Sequence, residues 1–479
     1  MLLRAARWIT TALLIVAFHS PARGAPEPRT PVLIIGGGVA GMATAWHLQK
    51  AGIAFQLLEM SPRLGGRMRT ASYPDSGTAE IGLEEFWEGN PLLEIMRELK
   101  LPLEKSASSF SSVVLDGKVH AFTQDTNTDF LRSVLSGAEL QAFQAWDAEA
   151  GRLQEKLRKR PLPADLLALK DLSFEAWVTQ KRFGLSKKAQ QFIRQQSEPE
   201  YGTSWTRISA LDGIAEWRIF QGKGMQSFHL VRGNQTLAEA IADHLGRSRI
   251  LLNTQVTNIH FKGDHVEVIA TNTASSEQKI FRAEHVVSTI PLFRLHEIQF
   301  SPELPAKRQE AIQTQSWGSY FTAHVFVDRA ADKFWKVLGP EALPILTGSS
   351  VGVVYEGYSP KTAGYRLLNL LITGDYGEAF NARTISFDSV GSQIRAGFEK
   401  LWPGFSKHIQ RMTFYRYHPR AIAGWPVGRS RFDAASDLMR TPEGRLYFAG
   451  DFTEGTHSDD AARSALRVVA QITEARRKK

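Results

Sequence analysis

Cysteine is absent from all 479 residues. That absence removes disulfides, Cys–metal sites, thiol nucleophiles and a cysteinyl-linked prosthetic group. The chain also lacks an apolar run of the roughly 20 residues that a membrane span needs. No His/Asp/Glu spacing suggests a metal site, so no metal is expected. The formal charge of +9 includes the cluster Lys156, Arg158, Lys159, Arg160 and the terminal Arg476-Arg477-Lys478-Lys479. Neither run is interleaved with the stacking aromatics of a single-strand binder, so no nucleic-acid partner is expected. Both read as solvated faces or tails. What remains is ordinary globular composition, 43% hydrophobic with 38 Gly and 21 Pro, at a length for two or three folded units. Nothing in the sequence specifies an oligomer.

The N-terminus speaks to compartment. Arg4 and Arg7 precede an apolar run from Trp8 to Phe18, then Pro21 and Ala22-Arg23-Gly24 before Ala25. A charged start, a short apolar core and small residues at the end describe a secretory signal over residues 1–24. The expected mature chain is exported, periplasmic or secreted, with no transmembrane span; an uncleaved segment would instead anchor it to a membrane. Losing Arg4, Arg7 and Arg23 takes the charge from +9 to +6.

The first folded segment carries the clearest chemistry. Val32-Leu33-Ile34-Ile35 is all apolar, as in a parallel strand buried on both faces. It runs into Gly36-Gly37-Gly38-Val39-Ala40-Gly41, a GxGxxG through Gly36, Gly38 and Gly41. Met42 to Lys50 is helical in composition, and a second strand, Ala54 to Glu59, ends on an acid. Gly36 permits the turn, Gly38 admits a pyrophosphate, and Gly41 lets helix and strand pack. The phosphates would rest on the N–H groups of Val39 and Ala40 at the positive helix end. Glu59 would accept from ribose hydroxyls, which suits FAD or NAD and opposes a 2′-phosphate. A second nucleotide fingerprint is missing: Gly222-Lys223-Gly224 has no strand–turn–helix setting, so the substrate itself is the expected electron donor.

After Glu59 the chain reads Met60-Ser61-Pro62-Arg63-Leu64-Gly65-Gly66-Arg67, and later Glu80-Ile81-Gly82. Further on come Val231-Arg232-Gly233-Asn234-Gln235-Thr236-Leu237, a strand to Val256, Val286-Val287-Ser288-Thr289-Ile290-Pro291, and finally Leu446-Tyr447-Phe448-Ala449-Gly450-Asp451 before a last helix, Asp460 to Glu474. In this order the motifs resemble the flavin-containing amine oxidase superfamily, which includes monoamine, polyamine and L-amino-acid oxidases and protoporphyrinogen oxidase. The resemblance spans 31–474. It implies an α/β fold: a Rossmann-like FAD-binding domain, in pieces 28–94, 228–295 and 430–479, with an inserted mixed α+β substrate domain from 95–227 and 296–429 that includes a helical insertion. It implies non-covalent FAD, with Gly66 and Arg67 at the pyrophosphate, Arg63 a weaker candidate there, and Gly82 passing close to the flavin. Val256 would lie against the adenine, Asp451 on the ribityl chain, and Ala461 in the helix end facing the flavin.

The substrate half is less explicit. By the same resemblance Thr322, following Gly318-Ser319-Tyr320-Phe321, stands where many family oxidases carry a water-holding lysine. That points away from efficient reaction with oxygen and toward a dehydrogenase or desaturase. Leu83-Glu84-Glu85-Phe86-Trp87-Glu88-Gly89 resembles the aromatic-x-Glu-Gly run of polyamine oxidases, making Glu85 and Glu88 candidates to bind a cationic amine or act as a base. Trp425 is a candidate aromatic wall; His418 and His457 read as structural histidines. The expected reaction is hydride transfer from a substrate C–N or C–C bond to flavin, reoxidised by oxygen or another acceptor. The alternatives are a protoporphyrinogen oxidase- or carotenoid desaturase-like dehydrogenase, and a nucleotide-binding protein without turnover. Whether Glu85 and Glu88 face the flavin or solvent separates amine from hydrocarbon substrates.

Overall fold

The computed structural model describes residues 29–105, 112–122, 127–217, 226–339, 342–358 and 364–478. The expected signal segment lies outside them, as does Gly222-Lys223-Gly224.

Two large sheets organise the chain. The first has eight strands in the order Ile250–Leu251, Phe55–Leu58, Thr30–Ile35, Gln278–Ser288, His265–Asn272, Thr254–Lys262, Gln299–Ser301, with Leu446–Phe448 also paired to Gln278–Ser288. Its centre is parallel, Val32 opposite Phe55 on one side and His285 on the other. Val32, Leu33 and Ile34 are wholly inaccessible, as a strand covered on both faces must be. The helix Val39–Lys50 packs its alanine-rich side on the last helix, Ser458–Arg477, where small side chains let the axes approach. The strand Gln299–Ser301 still belongs to this sheet, pairing in parallel with Thr254–Lys262, so the nucleotide-side sheet runs past the expected 295.

The second sheet has seven strands: Ile409–Gly424, Ser316–Val327, Arg366–Ile372, Val353–Glu356, Ile345–Leu346, Ser112–Leu115 and Lys118–His120. The last two form the hairpin expected around Asp116-Gly117, both with positive φ (48° and 75°), as a two-residue turn of matching twist demands. Helices Gly137–Leu157, Lys187–Tyr201 and Ala210–Glu216 pack against this half around Phe143, Trp146, Trp177 and Phe192.

Among the hydrogen bonds that lace the halves together, Thr322 Oγ1 donates to the Ile81 carbonyl at 2.9 Å, Ala423 N–H to Asp451 at 3.0 Å, and Arg67 to the Ala421 carbonyl at 2.5 Å.

Candidate active site

One cavity of about 1200 Å³ runs between the two sheets. That is at or above the roughly 300–1,000 Å³ of a usual small-molecule site, so there is room for a dinucleotide and a substrate. Gly36, Gly38, Val39 and Ala40 line it, with Glu59, Gly66 and Arg67 beside them; Gly82, Val256, Asp451 and Ala461 complete the inner walls. Gly41 lies beneath the lining. A Cβ there would stand 1.9 Å from the Gly36 carbonyl oxygen, so its contribution is the close approach of helix and turn.

The nucleotide side fits FAD on local chemistry. The helix Val39–Lys50 has no side-chain cap and no acid in its first turn, so its free N–H groups open beside the cavity wall at the positive end of the dipole. Glu59 accepts from Gly37 N–H at 2.7 Å and Ser61 N–H at 2.9 Å; a carboxylate has about four lone-pair sites, which leaves it able to accept from a ribose. Arg63, Arg67 and Arg69 all line this stretch. Their charge, together with burial, holds His418 neutral: burial and then Arg67 and Arg63 push its imidazole down to about 3. His418 Nε2 and Thr456 Oγ1, both on cavity-lining residues, are buried without a protein partner, polar atoms of the kind a polar ligand satisfies.

Arg67 corrects the sequence reading. Its guanidinium is committed to Asp451 in a two-pronged pair, 2.7 Å on each arm. Asp451 is only 3% exposed in its side chain, and a carboxylate so enclosed requires a cation. Arg67 therefore braces Asp451 within the nucleotide half, and reaches the second half through the Ala421 carbonyl, instead of standing free as a phosphate clamp.

Trp425 is a second correction. It is fully buried in the core beneath the first sheet, and its indole N–H donates to Ser436 at 3.0 Å. It does not line the cavity, because the apolar ring gains more from that core than from a wet wall.

The substrate side is acidic. Glu85 lines the cavity and Glu88 stands exposed at its rim. Glu84, from the same run, joins them, as does Glu200, a carboxylate the sequence did not single out, with Tyr320 and Tyr355. Glu84 accepts from Asn369 Nδ2 at 2.6 Å; burial, then the charges of Glu80 and Glu85, drive its carboxyl well above the usual range. Burial likewise pushes Glu200 up to about 7. His457, read as structural, also lines the cavity: Nε2 lies 3.1 Å from Glu216. Burial alone would lower its imidazole, but the Glu216 hydrogen bond and charge outweigh it and carry it up to about 9. Glu198-Pro199-Glu200 and Asp212 to Glu216 are acid-rich in the sequence, yet only the tertiary fold shows that they converge on His457.

Thr322 is 2% exposed, and its hydroxyl bonds the Ile81 carbonyl one residue before Gly82. It presents a hydroxyl where the resemblance places an ammonium.

A nucleotide cradle and an acid-rimmed substrate wall sharing one cavity define a flavin-dependent oxidoreductase. The chain belongs to the flavin containing amine oxidoreductase family, whose pattern matches residues 39–473. FAD is its cofactor, and the absence of cysteine excludes a cysteinyl link. It is 24% identical over 445 residues to polyamine oxidase 3 of Oryza sativa subsp. japonica, covering 89% of this chain and 85% of that one. The fold is that of cyclohexylamine oxidase from Brevibacterium oxydans IH-35A (TM-score 0.76, 21% identity, 94% of this chain and 99% of that one). Putrescine oxidase bound to putrescine gives 0.77 at 19% identity, over 94% and 100%.

Proposed function

We propose that the chain oxidises a cationic amine, the ammonium entering past Glu88 and seating among Glu84, Glu85 and Glu200. The observation that carries this reading is that Glu85 and Glu88 line the same cavity as the nucleotide cradle; a hydrocarbon or tetrapyrrole substrate has no use for so many carboxylates. The relatives act in the same direction, since their names speak of polyamine, cyclohexylamine and putrescine.

When bound, FAD supplies the hydride acceptor. The chain's own groups do the rest. The carboxylates attract and orient the cation, Tyr320 and Tyr355 wall the passage, and the Thr322–Ile81 bond fixes the backbone that leads into Gly82. Arg67 and Asp451 keep the inner wall at fixed width.

We read residues 1–24 as an export signal, supported by the charged start, the short apolar core and the small residues before Ala25. The electron acceptor is read as one other than oxygen, supported by Thr322.

The test is anaerobic. The purified, FAD-loaded protein is mixed with mono- and diamines and, separately, with reduced tetrapyrroles, and the visible flavin bands are followed. Bleaching by amines alone is the expected result. Bleaching by tetrapyrroles alone would transfer the chain to the dehydrogenase alternative, and no bleaching by either would leave a binding protein without turnover.

A further inference from the structure

Glu200 sits in the last turn of the helix Lys187–Tyr201, and two contacts fix its place. Tyr320 donates its hydroxyl to the Pro199 carbonyl at 2.8 Å, tying this helix end to the strand Ser316–Val327. His457 Nε2 lies 3.7 Å from Glu200 Oε2 on the cavity side and 3.1 Å from Glu216 Oε2 behind it. The Glu200 side chain is 33% exposed, and its exposed part faces the cavity it lines, whereas Glu216 is 1% exposed.

The charges behind this pair are already balanced. Arg431 binds Asp212 at 2.8 Å and also binds Glu216. Arg431 and the His457 imidazolium carry two positive charges, Asp212 and Glu216 two negative ones. A negative Glu200 is the surplus member, with His457 shared between it and Glu216. Around it, Tyr320 and Tyr355 keep their hydroxyl protons through burial, and Arg67 lies beyond Tyr320. Glu84 and Glu85 act on the same space through Tyr355. On the helix that follows His457, Asp459 lines the cavity, and Asp460 is held above its usual range by burial and by Asp459. On its own helix, Glu198 pairs with Arg194 at 3.0 Å.

We propose that Glu200 is the base that takes the proton from the substrate's ammonium group, with His457 as the residue that positions it. This rests on the amine reading above. Written out, R–CH2–NH3+ and the Glu200 carboxylate give R–CH2–NH2 and the Glu200 carboxyl. One N–H bond breaks, its electron pair stays on nitrogen, one O–H bond forms, and nothing is oxidised or reduced. The freed lone pair is what the α-carbon needs before it can lose hydride.

Glu84 and Glu88 are less suited. Burial keeps Glu84 protonated, with Asn369 on its oxygen, so it is poised to donate a hydrogen bond rather than to take a proton. Glu88 is exposed at the rim, beyond the desolvated wall. Burial lifts Glu200 to about 7, Glu216 adding to the rise and His457 opposing it; a base near the working pH is the efficient one.

The test uses the FAD-loaded protein and tert-butylamine, which has no hydrogen on its α-carbon and cannot be oxidised. Infrared difference spectra at pH 8 should gain a protonated-carboxyl carbonyl band when the amine binds. Tetramethylammonium, having no N–H, should bind without that band. Glu200→Gln should lose the band while retaining its flavin absorption. In His457→Gln the midpoint pH of the band should rise above that of the native protein, because a cation favouring the carboxylate is gone; a merely structural role would leave that midpoint in place. Amine binding without a new band, or a band that persists in Glu200→Gln, overturns the proposal. Failure of every amine to bind, by calorimetry, overturns the amine reading and the base with it.

Discussion

Thr322 Oγ1 lies 2.9 Å from the carbonyl oxygen of Ile81, and through that bond the strand Ser316–Val327 of the second sheet holds the backbone leading into Gly82. Thr322→Val should leave the Ile81 carbonyl buried without its partner, costing about 1–3 kcal/mol. Thr322→Ser should restore most of it. Denaturant unfolding of the three proteins checks this.

The same residue bears on the acceptor. With a hydroxyl in place of an ammonium, reduced protein should reoxidise more slowly with oxygen than with an artificial quinone acceptor. Stopped-flow reoxidation in air-saturated and quinone-containing buffer decides it; faster reaction with oxygen would remove Thr322 from the argument.

Arg67→Ala should strand Asp451, 3% exposed, without its counter-ion. Breaking such a pair costs about 3–5 kcal/mol, and flavin retention should fall with it. Arg67→Lys should recover part of the stability and less of the retention, since one ammonium cannot match both arms of the pair. Chemical denaturation and flavin-to-protein absorbance ratios report the two effects separately.

At Gly82 there is no space for a side chain. A Cβ would stand 1.8 Å from the Arg67 carbonyl oxygen and 2.7 Å from His418 Nε2. Gly82→Ala should therefore displace the wall beside the flavin and yield protein with little bound FAD. Far-ultraviolet circular dichroism near that of the native chain, with visible absorbance lost, is the expected outcome.

Stability should depend on pH through the Glu200 wall in a predictable sense. Glu200 holds its proton more tightly folded (about 7) than unfolded (about 4.3). Between these values the folded state binds more protons, so its contribution falls as pH rises and is fully lost above 7. His457 acts over the next interval: raised to about 9, it stabilises fully below about 6.5 and loses that contribution as pH climbs through 9. Glu216, lowered to about 2 despite burial because Arg431 and His457 face it, stabilises above about 4.3 and loses its contribution on acidification toward 2. Melting temperature should thus decline from pH 6 to pH 8, and Glu200→Gln should flatten that decline. An equal slope in the variant would count against the assignment.

The nucleotide side was legible in the sequence because its parts are contiguous. A strand, a glycine turn, a helix start and an acid such as Glu59 lie within thirty residues, and local backbone rules dictate their arrangement. Gly82 and Asp451 were legible for the same reason, each ending an apolar or acid-marked segment. Glu200 and His457 were not, because they meet only when helix Lys187–Tyr201 folds beneath the start of the last helix; no short-range pattern encodes that meeting. Arg67 was assigned to a phosphate because the motif shows its neighbours but not Asp451, hundreds of residues away. Trp425 was misplaced because a tryptophan before proline in a turn carries no mark of which side of a sheet will claim it, and the Arg431 guanidinium 4.8 Å above its ring was likewise invisible.

The strand Ile409–Gly424 is hydrogen-bonded to Ser316–Val327 along its length, from Gly424 opposite Ser316 to Ile409 opposite Val327. Near its end it is also tied to the nucleotide side through Ala421 and Ala423. Swinging the halves apart would have to break those ties and the Thr322 link at the same time. Traffic through the molecule is thus expected to be set at its doorway, by side chains such as Glu88, rather than by a hinge. Turnover should respond to the size of residues at the mouth and tolerate a covalent tether between the two halves.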